Sequence, residues 1–449
     1  MPESNTDPEL PRILGVRTSR RFFFGWYIVG AGSVNQFIAG ALLNNAFGAY
    51  NAALVNEFGW SRGAVALGFS LSRLESGILG PLQGWMIDRY GPRRIMQIGT
   101  VIFALGFLLF SQLNSLATFY IYFMVMAVGA SLSGFMAITV AVVNWFDRSR
   151  SRAMGISQVG FAVGGLVSGA IILAIEEFGW REVSFASGLI VLLVGLPLCS
   201  FIINKPADIG LHIDGMTPEQ MAVQREADMR AHRRQNSTEV DFTARQAMRT
   251  LSFWTISLGH TSALFVVSAV MVHLYLHLTE SLGYSTLATT VFLMLMTACQ
   301  IVGQVAGASL GDIFSKRLIA IICMAMHTVA LLLVAHVDTV ASVIAFAILH
   351  GLAWGTRGPM MQAWRADYFG RSSFGAIMGF SSTIIMIGTV AAPWIAGVLY
   401  DRTGSYELGF TIIAGIAAAG SVFFMLSWRP KPPVQPGAVV VAIEDAAGA

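Results

Sequence analysis

The chain has 449 residues, 55% of them hydrophobic and only 12% charged, where soluble proteins carry about a quarter charged residues. This excludes a soluble globular protein and predicts a membrane protein. The net charge of +3 comes from basic residues scattered at the ends of apolar runs, a pattern that argues against a nucleic-acid surface and reports membrane topology instead.

Apolar runs of about 20 residues, the length that crosses a hydrocarbon core, begin near positions 23, 62, 95, 116, 152, 182, 252, 285, 318, 340, 374 and 405. They predict an all-α membrane protein of twelve transmembrane helices. Its expected organisation is a cytoplasmic segment over 1–22, a six-helix bundle over 23–204, a linker over 205–250, a second six-helix bundle over 251–428 and a disordered tail over 429–449. Arg17, Arg20 and Arg21 precede the first run. That run continues from Phe22 to about Tyr50, too long for a signal peptide and without a small-residue cleavage site, so it is expected to be retained. Of the 28 Lys and Arg residues, Arg62, Arg181 and Arg402 fall in loops opposite the termini and Arg73 and Arg357 within spans. The rest lie on the side of the termini, which predicts both termini in the cytoplasm. The expected setting is the plasma membrane, in a bacterium the inner membrane.

The first span offers Asn35, Gln36, Asn44 and Asn45 as hydrogen-bonding groups, some for a substrate and some between helices. The second carries Arg73 and Glu75 near its middle. Charge at that depth is costly and functional by default. Two residues apart, the side chains point about 200° from each other, so each needs a partner on another helix. Glu75 is the candidate for a coupling proton; the competing reading is a structural counter-charge.

Next comes "GPLQGWMIDRYGPRR", residues 80–94. Its Gly84, Asp88, Arg89, Gly91, Arg93 and Arg94 match the cytoplasmic turn signature of the major facilitator superfamily, so the chain resembles that family. Asp312, Lys316 and Arg317 form a degenerate copy in the second half. The physical expectation is a conformational latch: Asp88 reaches the N–H groups at the start of the eleventh span, Asp312 those of the fifth, and Gly84 lets the helices approach. The duplication extends further. An offset of 224 carries Gly59 onto Gly283, Ser61 onto Ser285, Asp88 onto Asp312, and Met154, Gly155 and Ser157 onto Met378, Gly379 and Ser381. Two halves related in this way are expected to hold a substrate at their interface.

"WFDRSRSRAMGISQVGFAVGG" (145–165), "GWREVSFASGLI", "KPADIGLHIDG" and "DYFGRSSFGAIMGF" resemble the monocarboxylate transporter and oxalate/formate antiporter branch over about 25–428. That resemblance implies transport of a small organic anion. The branch usually places Asp and Arg in the eighth span and, in the oxalate/formate exchanger, Lys in the eleventh. Here "TTVFLMLMTACQIVGQVAGASL" and "STIIMIGTVAAPWIAGV" contain none of them, so the branch's usual ligands do not carry over.

In the linker, Thr217, Pro218 and Gln220 form a helix-start signature and predict a surface helix. In the seventh span His260 is a candidate for substrate or proton contact, whereas His273 and His277 are expected near the solvated outer surface. In the tenth, His350 and Arg357 are seven residues apart, within about 20° of two full turns. They share a face with Trp354. A guanidinium grips a carboxylate bidentately, which makes Arg357 the first candidate ligand of an anionic substrate; the competing reading is an internal ion pair or carbonyl clamp. Cys199, Cys299 and Cys323 are expected as small core residues.

No nucleophile–base pairing, metal-ligand spacing or phosphate loop stands out, so neither an enzyme nor a metal or cofactor is expected. The expectation is a monomeric secondary transporter working by alternating access. The rivals are an exporter of drug-like amphipathic compounds and a membrane sensor that moves nothing.

Overall fold

The computed structural model describes residues 12–13, 16–17, 23–44, 46–60, 62–216, 220 and 241–431. The expected linker helix at Thr217 and Pro218, the tail beyond 431 and Asn45 fall outside them. Arg73 lies within a described helix, but its side chain is outside the described residues.

Ten helices of the described residues are long and apolar enough to cross a membrane. In chain order they form span 1 (Gly25–Phe58), span 3 (Pro92–Phe110), span 4 (Leu116–Trp145), span 6 (Trp180–Phe201), span 7 (Leu251–Thr279), span 8 (Leu287–Ile313), span 9 (Lys316–His336), span 10 (Val340–Phe369), span 11 (Phe374–Thr403) and span 12 (Glu407–Met425). Two more long helices complete the twelve. Span 2 is Arg62–Ile78 continued by Gly80–Tyr90, and span 5 is Arg150–Phe178. A two-residue antiparallel pairing, Arg12–Ile13 with Val16–Arg17, precedes them.

The duplication read from the sequence governs the helix boundaries. Adding 224 to the starts of spans 2, 3, 4 and 5 gives 286, 316, 340 and 374, where the helices of spans 8, 9, 10 and 11 begin. Pairs of glycines or small residues let the helices approach to backbone distance, as packing within lipid requires. In the first half, a Cβ on Gly129 would lie 2.2 Å from the Phe103 nitrogen, and one on Gly106 2.6 Å from the Met126 Cα. In the second half Ala353 and Ala330 stand at the equivalent places.

Irregularities in the spans have local causes. Span 2 bends at Leu79, just before Pro81, because proline cannot donate to the preceding turn. Span 4 breaks at Gly134, whose φ of −95° and ψ of −141° leave the helical region. Pro393 in span 11 frees the carbonyl of Thr389, and Ser268 of span 7 donates to that oxygen at 2.7 Å. The backbone group released inside the membrane is thus satisfied by a neighbouring helix.

Candidate functional site

The two halves meet most tightly at the end that carries the 80–94 turn. Asp88 accepts from the backbone N–H groups of Gly375 and Ala376, at 2.9 and 2.8 Å. Asp312 accepts from those of Ser151 and Arg152, at 2.8 and 3.1 Å. These are orphan donors in the first turns of spans 11 and 5, where the helix dipole also favours a carboxylate. A Cβ on Gly84 would lie only 1.9 Å from the Gly375 oxygen. The basic residues of the motif do other things. Arg89 lies over the rings of Trp85 and Tyr90, the backbone N–H of Arg93 donates to Asn204, Arg94 is exposed, and Arg317 sits 3.6 Å over the Trp428 ring. Gly91 turns the chain with φ +83°.

Four ion pairs reinforce this end. Arg150, buried, bridges Asp147 at 2.7 Å and Asp367; Arg371 reaches Asp147 at 2.6 Å and Lys316 reaches Asp367 at 2.8 Å. Arg150 is the only one of these groups taken out of solvent; its removal loses two charge-assisted hydrogen bonds, while Asp147 keeps Arg371 and Asp367 keeps Lys316. Arg150→Gln is therefore expected to weaken closure by about 1.5–3 kcal/mol, and Arg371→Gln, at a more exposed pair, by less than about 1 kcal/mol. The rate of alkylation of a cysteine placed at the buried Val140 position between the halves would read both effects.

Beyond Gly77 and Met386 a cavity of about 390 Å3 lies between the bundles. Most of its polar lining comes from the first half, with Gln36, Asn44, Ser72, Ser76, Gln83 and Ser131; the second half adds Ser382 and Thr389 beside the apolar Leu264, Ile385 and Met386. Glu75 stands behind Ser76 and Gln83. Its Oε2 accepts from the Ser76 hydroxyl at 3.0 Å and its Oε1 from the Gln83 amide at 3.2 Å. Asn44 lines the cavity and donates to the Ala39 carbonyl, whereas Asn35 turns to span 4 and donates to the Ser133 carbonyl at 2.6 Å.

The sequence placed His350, Trp354 and Arg357 together on one helical face. They do share a region of span 10, but that face turns into the second bundle rather than onto the wall of this cavity. His350 is fully buried against His327 of span 9, stacks on Phe346 and meets the half-buried Trp354 edge to face. Arg357 is also fully buried, and its Nε, Nη1 and Nη2 have no hydrogen-bond partner. It lies twelve residues from the end of span 10, about 18 Å by the helical rise. Among the described residues it has neither an acidic partner nor a carbonyl clamp.

Three readings need correction. Sequence reasoning counted Arg357 as the one deep charge of span 10, yet Arg365 is equally buried. Its guanidinium donates to Ser381 at 2.9 Å and Gln362 at 3.1 Å and pairs with His260 Nδ1 at 3.0 Å. These partners relieve a burial that distance from the span end did not reveal. Second, His273 and His277 are buried, not solvated. His273 contacts the Pro393 carbonyl at 2.8 Å and His277 the Val334 carbonyl at 2.9 Å, because bundle packing covers them even near a span end. Third, His327 went unremarked, although its repeat partner is an ordinary core residue, Phe103.

The basic cluster adjoins the cavity. His260 precedes the cavity-lining Leu264 by one helical turn, and Ser381, held by Arg365, immediately precedes the cavity-lining Ser382. Arg365, with no carboxylate among its described partners, thus stands behind Ser381 on one side, while Glu75 stands behind Ser76 and Gln83 on the other half's wall.

A family model described as Major Facilitator Superfamily matches residues 32–304 and 256–443. The MFS-type transporter pynF of Aspergillus niger is 24% identical over 90% of this chain and 88% of its own length. Monocarboxylate transporter 13 of Rattus norvegicus is 21% identical over 89% and 87%. Among solved structures, the proton:xylose symporter XylE superposes with a TM-score of 0.70 at 16% identity, covering 91% of this chain and 96% of that one.

Proposed function

Because the chain belongs to the major facilitator superfamily and is therefore a multi-pass membrane transporter rather than an enzyme, we propose that it moves a small organic anion of the monocarboxylate kind by alternating access, with Arg357 as the anion's seat. One observation carries this reading: a fully buried guanidinium with three unpartnered nitrogens. An uncompensated buried charge costs several kcal/mol, and a carboxylate that forks onto it removes the cost while binding. Arg365, His260 and Trp354 shape the surroundings, and the amides of Gln36, Asn44 and Gln83 with the hydroxyls of Ser72, Ser76 and Ser131 receive the polar remainder of the substrate. Asp88 and Asp312, with Gly84 and the ion pairs around Arg150, act as the latch. With both termini in the cytoplasm the latched end is the cytoplasmic one. The relative named as a monocarboxylate transporter supports the substrate class.

The apolar wall of Leu264, Ile385 and Met386 favours a second reading, export of an amphipathic compound. Uptake into proteoliposomes separates the two. Saturable entry of radiolabelled pyruvate, lactate or glucuronate is expected. Transport of a neutral amphipathic dye with no entry of any carboxylate would sink the anion reading.

A further inference from the structure

Two histidines meet deep inside the second bundle. Span 9 supplies His327 and span 10 His350, both fully buried, with Nδ1 3.2 Å from Nδ1 and ring centroids 4.7 Å apart. Two imidazole nitrogens bond only when one carries hydrogen and the other does not. The neutral pair therefore holds one proton between the Nδ1 atoms and one on an Nε2, and the other Nε2 is bare. Among the described residues neither Nε2 has a hydrogen-bond partner. The pair has room for one further proton, because a second would break the Nδ1 contact.

Bundle packing does not require this pair. At the equivalent places of the first half stand Phe103 and Met126, and where the second half has Cys323 and Arg357 the first has Gly99 and Ser133. The same helix crossing is built there from apolar and small residues. The charged and titratable groups around the pair come from each adjoining helix. Arg357 lies within electrostatic reach of both histidines. Span 9 brings Cys323 and span 8 Cys299 against Gly351, whereas Arg365 lies fifteen residues along span 10 from His350, about 22 Å by the helical rise, with His260 of span 7 bonded to it. Span 12 has no titratable residue between Leu408 and Met425. None of these groups is a carboxylate.

We propose that the His327–His350 pair is the proton site of transport, taking one proton when an anion occupies Arg357. The inference rests on the anion reading above. With Arg357 unpaired, a proton on the pair would stand beside a like charge at low dielectric. An anion on the guanidinium removes that repulsion, and by linkage the proton tightens the anion in turn. The bare Nε2 gains a proton from the loading side and gives it up on the other; no other bond forms or breaks. Glu75 is less suited to the task. Both of its oxygens are already engaged within its own span, by Ser76 and Gln83, and it sits in the other bundle.

The test uses the full chain in proteoliposomes with radiolabelled pyruvate, lactate and glucuronate, in two modes: exchange at equal pH, and accumulation driven by a pH step acid on the loading side. One proton per monoanion accumulates substrate about tenfold per pH unit. His327→Gln and His350→Gln are expected to keep exchange within about threefold of native while accumulation falls to the outside concentration. Glu75→Gln is expected to keep both. The double variant His327→Phe with His350→Met installs the residues of the first half and guards against a folding failure. Accumulation that survives in that double variant overturns the proton site alone. So does lost exchange in variants of native thermal midpoint, because exchange moves no net proton, and so does loss of accumulation in Glu75→Gln instead. If Arg357→Gln keeps exchange, or if none of the three anions is exchanged, the anion reading falls and the pair falls with it.

Discussion

Arg357→Gln is expected to reduce carboxylate exchange by roughly 30-fold to several-thousand-fold, the equivalent of about 2–5 kcal/mol for truncating one partner of a buried charge pair. The same variant should melt no lower than the native protein. No described group bonds the guanidinium, so its removal breaks nothing and relieves an uncompensated ion, a change often stabilising by about 1–4 kcal/mol where buried charge gives way to neutral packing. The combination is diagnostic. A merely structural arginine would lose midpoint and activity together, whereas a ligand awaiting its anion loses only activity. Arg357→Lys should fall between, because an ammonium keeps the charge but not the planar fork. Native exchange in Arg357→Gln, measured with pyruvate, lactate and glucuronate, would remove Arg357 from the substrate path. A midpoint lowered by many degrees would mean that the side chain has a structural partner in the membrane.

Gly84→Ala is expected to hold the latched end open. Its Cβ would lie 1.9 Å from the Gly375 oxygen, 2.4 Å from the Gly375 carbonyl carbon and 2.9 Å from the Ala376 nitrogen. All three atoms are backbone and cannot rotate aside, so the start of span 11 must withdraw. Withdrawal also takes the Gly375 and Ala376 amides from Asp88. Two hydrogen bonds to a charged group contribute about 1.5–3 kcal/mol each. Their joint loss approaches the roughly 5.5 kcal/mol that inverts a 99:1 population. Transport needs both ends to close in turn, so exchange should drop by about 100-fold or more, and a cysteine at Val140 should become readily alkylated. Gly80→Ala is the control. Its Cβ would lie 3.1 Å from the Gly379 oxygen, a crowding that a few tenths of an ångström relieves, so both readouts should stay near native. Equal effects from the two substitutions would contradict the latch geometry.

Much of the contact geometry at the latched end was legible beforehand. The spacing of Gly84 and Asp88, the copy at Asp312 and the dipole of an opposing helix start are local properties of the chain, and the repeat supplies the partner: Ser151 and Arg152 stand to Gly375 and Ala376 as Asp312 stands to Asp88. The interior of the second bundle was not legible to the same degree. Helical periodicity put His350, Trp354 and Arg357 on one face, but it cannot say which neighbour that face meets. The repeat carries a further signal. Arg357 aligns with Ser133, His327 with Phe103 and His350 with Met126, so charge and titratable groups occupy one half where the other has none.

By itself, the sequence determined the membrane setting, the twelve spans, their duplication and the spacing of Gly84, Asp88 and Asp312, because length, apolarity and short-range spacing act within single helices or between repeats. Tertiary structure alone decided which polar groups find partners. Arg365 is satisfied by His260, Gln362 and Ser381, Glu75 by Ser76 and Gln83, and His327 meets His350, while Arg357 meets none. In a low-dielectric interior the cost of a polar group depends on what lies within about 3 Å of it. His260, Ser381 and His350 come from other helices, a relation that no local pattern in the chain encodes, whereas Gln362, Ser76 and Gln83 lie in the same span as the group they satisfy.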